Sequence, residues 1–400
     1  MNIGVKFTLN CCIIDAALEV GESEMNRVYF DMQVFTYWSE EALESKRLVS
    51  KGTVLVSDEE ALSGVKDGSE RVDTDLLDML KNLSEDGYDL NICDTLPVPE
   101  IKQMLTDLEI GSYFHQIISA GTSGPISKSL MKIRERDDFS LFVGCNATVI
   151  DACDRSQIPV IAYGREFRKY AMDAFSYARY PLEIEDQIAV CMIVHTVARA
   201  AIEKNARVLG IDGIEFAGKK VFTYKLGRYL EMLGKEYDIV DLEDFHRSVE
   251  SSYKGEDPVE SYYFNGFNKD KLIAEVLKPF KRDGVIDKTV YCLDSDNDAF
   301  VNERHYQLTE DGLMILIGTM MYREPLMRYF DMTVYMRVDY REAEHRASLL
   351  DAPPYGDDPV EVYKTKQIPA QKMYLQRHNP FDDSDFVIDN SNYHRPFFVD

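Results

Sequence analysis

Apolar residues along this chain fall into two rhythms. Short unbroken apolar runs read as buried strands, and stretches with an apolar residue at every third or fourth position read as helices packed against them. In the first part the pattern predicts a strand at 5–9, a helical and irregular insert at about 16–72, and a helix at 73–83. Strands at 88–93, 116–119, 140–143 and 160–163 then alternate with helices at 98–108, 127–135 and 147–156. Single helices between strands favour a parallel, doubly wound sheet, with functional groups collecting at the strand C-terminal ends. Ile188, Cys191, Met192, Val197 and Ile202 keep helical spacing through 185–205, a stretch without Gly or Pro.

A second α/β pattern starts at Val208. It predicts strands at 237–242, 313–317 and 332–338 and a helix at 269–279, followed from Asp351 by a Pro- and Asp-rich stretch suited to an open loop or lid. The expected organisation is an N-terminal domain over 1–164, a connecting helical segment over 165–206 and a C-terminal domain over 207–400 with a lid and tail. Both domains are expected to be doubly wound, Rossmann-like α/β lobes.

Charge narrows the partners. With 45 Lys and Arg against 70 Asp and Glu, the formal charge is −25, which repels a nucleic-acid backbone or an anionic membrane. No apolar run reaches the length of a membrane helix, and no secretory leader is evident. The seven cysteines have no paired spacing. A reduced, cytoplasmic protein with no bound metal is expected, and zinc at Cys145 and Cys153 is disfavoured because no His pair lies nearby.

The clearest chemical signal is Gly213-Ile-Glu-Phe-Ala217-Gly218-Lys219-Lys220-Val221, a G-x-x-x-x-G-K loop between an apolar strand and an amphipathic helix. Its glycines let backbone N–H groups turn toward a phosphate, the helix start adds a positive dipole end, and Lys219 can reach terminal phosphates. The next residue in such loops is Ser or Thr, whose hydroxyl holds Mg²⁺; here it is Lys220. ATP is therefore the expected cofactor, with weakened Mg²⁺ binding.

Two resemblances extend this reading. Phe7-Thr8-Leu9-Asn10 through Asp15 resembles the F-D-x-D-G-T-L-x-D opening of haloacid-dehalogenase-like phosphatases, with Thr8 and Asn10 where the two catalytic aspartates belong. Asp94 falls at that family's phosphate-binding hydroxyl, Gly124-Pro125 at its lysine with Lys128 close by, and Cys145 and Val149 at its metal carboxylates. The resemblance, spanning about 1–164, implies a retained fold without phosphatase activity.

From Gly210 onward the chain resembles the uridine kinase and phosphoribulokinase group. The segments that carry the resemblance are Asp241-Leu-Glu243-Asp244-Phe245-His246, Tyr253-Lys-Gly255, Tyr262-Tyr263-Phe264, and Ile317-Gly318 followed by Arg323-Glu-Pro-Leu. A tail from Tyr363 through Pro369, Gln371, Tyr374, Pro380 and Asp389-Asn390 completes it. The resemblance implies Glu243 as the base, Arg346 on transition-state charge, and Asp244, Phe245, His246 and Tyr263 along the acceptor pocket. It also implies a metal acid lost at Ile317 and a phosphate-clamping Arg lost at Leu350.

Plainer roles compete for several of these residues. Glu243 and Asp244 can be strand-end acids capping a turn, His195 is expected to pack, and the aromatic cluster at 253–267 is either core or a base-stacking wall. Two functions follow: a nucleotide-binding protein with impaired or absent phosphotransfer, acting through binding or assembly, or an active kinase for a hydroxyl of a nucleoside-like small molecule. A homo-oligomer or a protein partner suits the first, and neither reading calls for a nucleic-acid polymer.

Overall fold

A computed structural model describes residues 26–36, 74–119, 127, 130, 133, 139–145, 147–164, 174–248, 257–294, 298–349 and 359–399. The chain divides into two compact units, Met1–Ile188 and Ala189–Asp400. The division falls inside the helix Pro181–Glu203, which covers most of the segment expected to be a connecting helix.

The first unit holds a six-stranded parallel sheet. Its strands are β1 (Arg27–Phe30), β2 (Asp89–Asp94), β3 (Gln116–Ser119), β4 (Ser140–Gly144), β5 (Val160–Tyr163) and β6 (Ser176–Ala178), in the order β3-β2-β1-β4-β5-β6. Helices Thr74–Glu85, Val98–Asp107 and Ala147–Arg155 lie where the 3.6-residue pattern predicts them. Strands with both faces covered bury nearly every residue, as parallel sheets require, and Tyr29, Phe142, Val160 and Ala162 share one core with Val149, Ile150 and Cys153.

One expectation is overturned here. Residues 27–30, assigned by sequence to an insert, form a central strand paired in parallel with both β2 and β4. The run Arg27-Val-Tyr-Phe is too short to show a period, and its burial comes from neighbours distant in sequence. Its end reads Phe30-Asp31-Met32-Gln33, which fits the F-D-x-D opening with only the second acid replaced. The strand end therefore does carry a carboxylate. The expected strand at 5–9, Thr8, Asn10, Gly124-Pro125, Lys128, and most of the expected helix at 127–135 lie outside the described residues, as do Tyr253-Lys-Gly255, Leu350 and the loop from Asp351 to Asp358.

The second unit is a separate α/β layer structure. Strands β7 (Val208–Gly213), β8 (Tyr237–Asp241), β11 (Leu313–Gly318), β12 (Met332–Arg337), β13 (Phe386–Asp389) and β14 (Phe397–Phe398) form a sheet in the order β14-β13-β12-β7-β11-β8. All pairings but β13–β14 are parallel. Strand β7 sits between β11 and β12 and is buried along its whole length, so the loop that follows it opens at the middle of the sheet's C-terminal edge. A two-stranded antiparallel hairpin, β9 (Ile286–Asp294) and β10 (Ala299–Leu308), stands outside this sheet. The helix predicted at 269–279 continues through 283, with a wider turn at Ile273–Leu277.

Candidate functional site

The phosphate-type loop is formed as its sequence predicts. Strand β7 ends at Gly213, the chain turns through Ile214, Glu215, Phe216 and Ala217, and Gly218 caps the helix Lys219–Met232 with φ at 90°. Both glycines are required by close approach. A Cβ on Gly213 would lie 2.4 Å from the Met336 carbonyl oxygen, and one on Gly218 would lie 2.3 Å from Asn390 Nδ2.

The tail braces this loop. Asn390 Nδ2 donates to the Ala217 carbonyl at 2.7 Å. Arg346 Nη1 donates to the Phe216 carbonyl at 3.0 Å, Nη2 to the Asn390 carbonyl at 2.7 Å, and Nε to Glu342 at 2.8 Å. The guanidinium expected on transition-state charge is thus spent on holding backbone. Beneath the loop, the buried Asp212 accepts from the Tyr374 hydroxyl at 2.8 Å, Gly213 N at 2.8 Å and Met321 N at 3.0 Å. Burial pushes its carboxyl above the ordinary range, while Tyr374 and Lys219 pull it back.

Lys219 bends onto its own loop, its Nζ donating to the carbonyls of Gly213 at 2.7 Å and Ile214 at 2.8 Å. Burial works to lower its ionisation, opposed by the charges of Glu215, Asp212, Glu243 and Asp241. Lys220 turns the other way, toward the end of β8. Its Nζ lies 2.6 Å from Glu243 Oε2 and 3.1 Å from Asp241 Oδ2. The pair outweighs burial and raises the Lys220 pKa, and Lys220 in turn outweighs burial at Glu243 and holds that carboxyl below its ordinary range. A depressed carboxylate tied to an ammonium is a poor proton acceptor.

This geometry decides which groups the loop can hold. The curled backbone and Lys219 suit a phosphate. Lys220 stands where Ser or Thr would offer Mg²⁺ a hydroxyl, and buried Ile317, at the end of β11, supplies no oxygen. Among the described residues no group of three or more His, Cys, Asp or Glu side chains is placed to hold a metal ion.

The expected acceptor residues lie apart in character. Phe245 is buried and stacks with Tyr306 at 6.5 Å between ring centroids, and Tyr263 is buried as well. Asp244 accepts from the Tyr306 hydroxyl at 2.9 Å and pairs with Arg304 at 3.3 Å, which ties it to β10. His246 packs its ring 4.5 Å from that of Phe267. Glu243 and Asp244 also line an open depression of about 380 Å³ with Cys292, Asn302, Glu303 and Arg304. Val221 is 65% exposed, on the first turn after the loop. Sequence reading missed Asp212, Glu215 and Asn390 as parts of the loop. Asp212 lies just before the motif's first glycine and Glu215 at one of its variable positions, and Asn390 reaches the loop only through the placement of β13 beside β12.

In the first unit, Asp31 and Asp94 end adjacent strands at the edge where the strand order reverses. Asp31 accepts from Cys145 N at 2.9 Å and Val34 N at 3.1 Å, and Asp94 from Met32 N at 2.8 Å. Burial, with the Asp94 charge adding to it, raises the Asp31 carboxyl to about 7 against those amide donors.

No family model matches the chain, and no curated protein sequence does. Among solved structures it is similar to a possible uridine kinase from Bacillus stearothermophilus, at 20% identity and a TM-score of 0.40, covering 51% of this chain and 98% of that one. It is similar to a haloacid dehalogenase-like family protein from Streptococcus pneumoniae at 19% identity and a TM-score of 0.28, covering 40% of this chain and 97% of that one. It is also similar to a D-glycerate 3-kinase from Cryptococcus neoformans, at 14% identity and a TM-score of 0.27, covering 49% of this chain and 72% of that one.

Proposed function

We propose that the second unit is a nucleotide-binding module of the uridine-kinase-like P-loop type whose phosphotransfer is impaired, and that the protein acts by binding or assembly. One observation carries this reading: the ammonium of Lys220 lies between Asp241 and Glu243. It places an internal cation beside the loop, where it can face the outer phosphates of a bound nucleotide without the rigid bridging of Mg²⁺. It also keeps Glu243 ionised and occupied. Transfer to an acceptor hydroxyl needs both a free base and organised phosphate charge, and this site favours neither. Arg346, to which the active-kinase reading gives the transition-state charge, is engaged with the carbonyls of Phe216 and Asn390.

Calorimetry on the full chain tests the proposal. ATP is expected to bind about equally well with Mg²⁺ and with a chelator. Lys219→Ala should weaken binding about tenfold or more, near 1.4 kcal/mol. Lys220→Ala should weaken it less and make it Mg²⁺-responsive, because two freed carboxylates then face the loop. Binding that appears only with Mg²⁺, or measurable ATP-dependent phosphorylation of a nucleoside, would overturn the proposal.

A further inference from the structure

The helix from Pro359 to Arg377 is divided in two by its own sequence. Pro369 has no N–H to donate, and its ring crowds the carbonyl four residues back, at Thr365. The turn before it, Tyr363–Gln367, is accordingly wound wider than an α-helix, as the wider turn Ile273–Leu277 precedes Pro279. Beyond the proline the helix is anchored. Ala370, Gln371 and Tyr374 are buried, Gln371 Nε2 donates to the Tyr335 hydroxyl at 2.8 Å, and the Tyr374 hydroxyl donates to Asp212 at 2.8 Å. Before the proline, Tyr363 is the one buried residue among 360–367.

Tyr363 rests on the phosphate-type loop. Its ring meets that of Phe216 edge-on, with 5.4 Å between centroids. Phe216 holds a left-handed backbone, φ 63°, which a residue with a Cβ disfavours, so that conformation lasts only while its surroundings impose it. The Tyr363 ring holds the Phe216 side chain, and Arg346 Nη1 holds its carbonyl. Yet the Tyr363 hydroxyl is enclosed and has no hydrogen-bond partner among the described residues. An enclosed orphan hydroxyl forfeits its bonds to water, and that cost opposes the seat made by the ring. A surface ion pair between Lys364 and Glu344 adds little to the hold.

We propose that residues 360–367 form a strap on the phosphate-type loop, hinged where Pro369 interrupts the backbone bonding, and that its closure holds Phe216 in the shape the loop needs. The strap lifts as a unit while the anchored end stays in place. Lifting returns the Tyr363 hydroxyl to water and lets Phe216 relax, so the same residue both clamps the loop and limits how firmly it is clamped.

Hydrogen exchange on the full chain without nucleotide, followed amide by amide, tests both parts of the proposal. Amides of 363–367 should exchange at least about tenfold faster than those of 371–377. Tyr363→Phe keeps the ring and removes the orphan hydroxyl, so it should slow 363–367 about tenfold and leave 371–377 unchanged. Tyr363→Ala should instead quicken 363–367 together with the amide of Ala217, which donates to the Ile214 carbonyl at 3.2 Å in the formed loop. Continued protection of 371–377 in that variant shows that the chain is folded. Exchange at 363–367 that matches 371–377, or that Tyr363→Phe does not slow, would overturn the strap. An Ala217 amide equally protected in Tyr363→Ala would overturn its hold on the loop. One further arm rests on the reading that the loop binds a nucleotide: Tyr363→Ala should weaken ATP binding about fivefold in calorimetry. A native chain that binds no ATP would count against that reading and leave the strap to the exchange result, whereas equal binding by native and variant would overturn the coupling of strap to loop.

Discussion

Gly218 combines a left-handed backbone with the absence of any room for a side chain, since an added Cβ would sit 2.3 Å from Asn390 Nδ2. Gly218→Ala must therefore pay backbone strain and also displace Asn390 from the Ala217 carbonyl. A loss of about 2 kcal/mol or more in unfolding free energy is expected from urea titration, and a loss under about 0.5 kcal/mol would show that the loop has slack. The glycines and Lys219 were legible because loop chemistry depends on residues adjacent in sequence. Lys220 was legible only as an anomaly. Its partners are Asp241, the last residue of β8, and Glu243, on the short helical turn Leu242–Phe245 that follows, and nothing local in the sequence says that this strand end lies within reach of the helix start.

Among the elements, the helices Pro181–Glu203 and Lys219–Met232 meet at a buried pair, His195 Nδ1 and the Tyr229 hydroxyl, 2.8 Å apart. Burial lowers the His195 pKa to about 4, with the Arg199 charge assisting. An unfolded histidine titrates near 6.5, so the folded state prefers the neutral ring. Its contribution is fully present above about pH 6.5 and is lost as pH falls toward 4, amounting to about 3 kcal/mol. Urea midpoints measured across that window should fall with acid more steeply in the native chain than in His195→Gln, and parallel profiles would exclude the histidine as the cause. The expectation that His195 packs is met. Strands and helices with strong periods were legible almost to their ends, because both faces of a parallel strand and one face of a covering helix must be apolar. Strand β1 and the β9–β10 hairpin were not. One is too short to show a pattern, and the other is exposed along most of its length.

For the whole molecule, the first unit bears on the question of a second activity. Asp31 stands at the end of β1, a carboxylate at a strand end where the resemblance, read at Thr8 and Asn10, expected none; Gln33 follows two residues on, and Asp94 adds a negative charge beside it. A phosphate dianion would be repelled there. The intact protein is expected to show no Mg²⁺-dependent hydrolysis of an aryl phosphate, and turnover that disappears in Asp31→Asn would prove the unit active. Asn390 has a consequence for the order in which the molecule is made. It closes on a carbonyl 173 residues earlier in the chain, at Ala217. A ribosome thus releases the phosphate-type loop long before the side chain that fixes its shape, and contacts so distant in sequence form late because a long segment must first be ordered. For much of its synthesis the chain carries the loop's glycines and lysines without the loop's conformation, so the loop takes its final shape only near the end of folding.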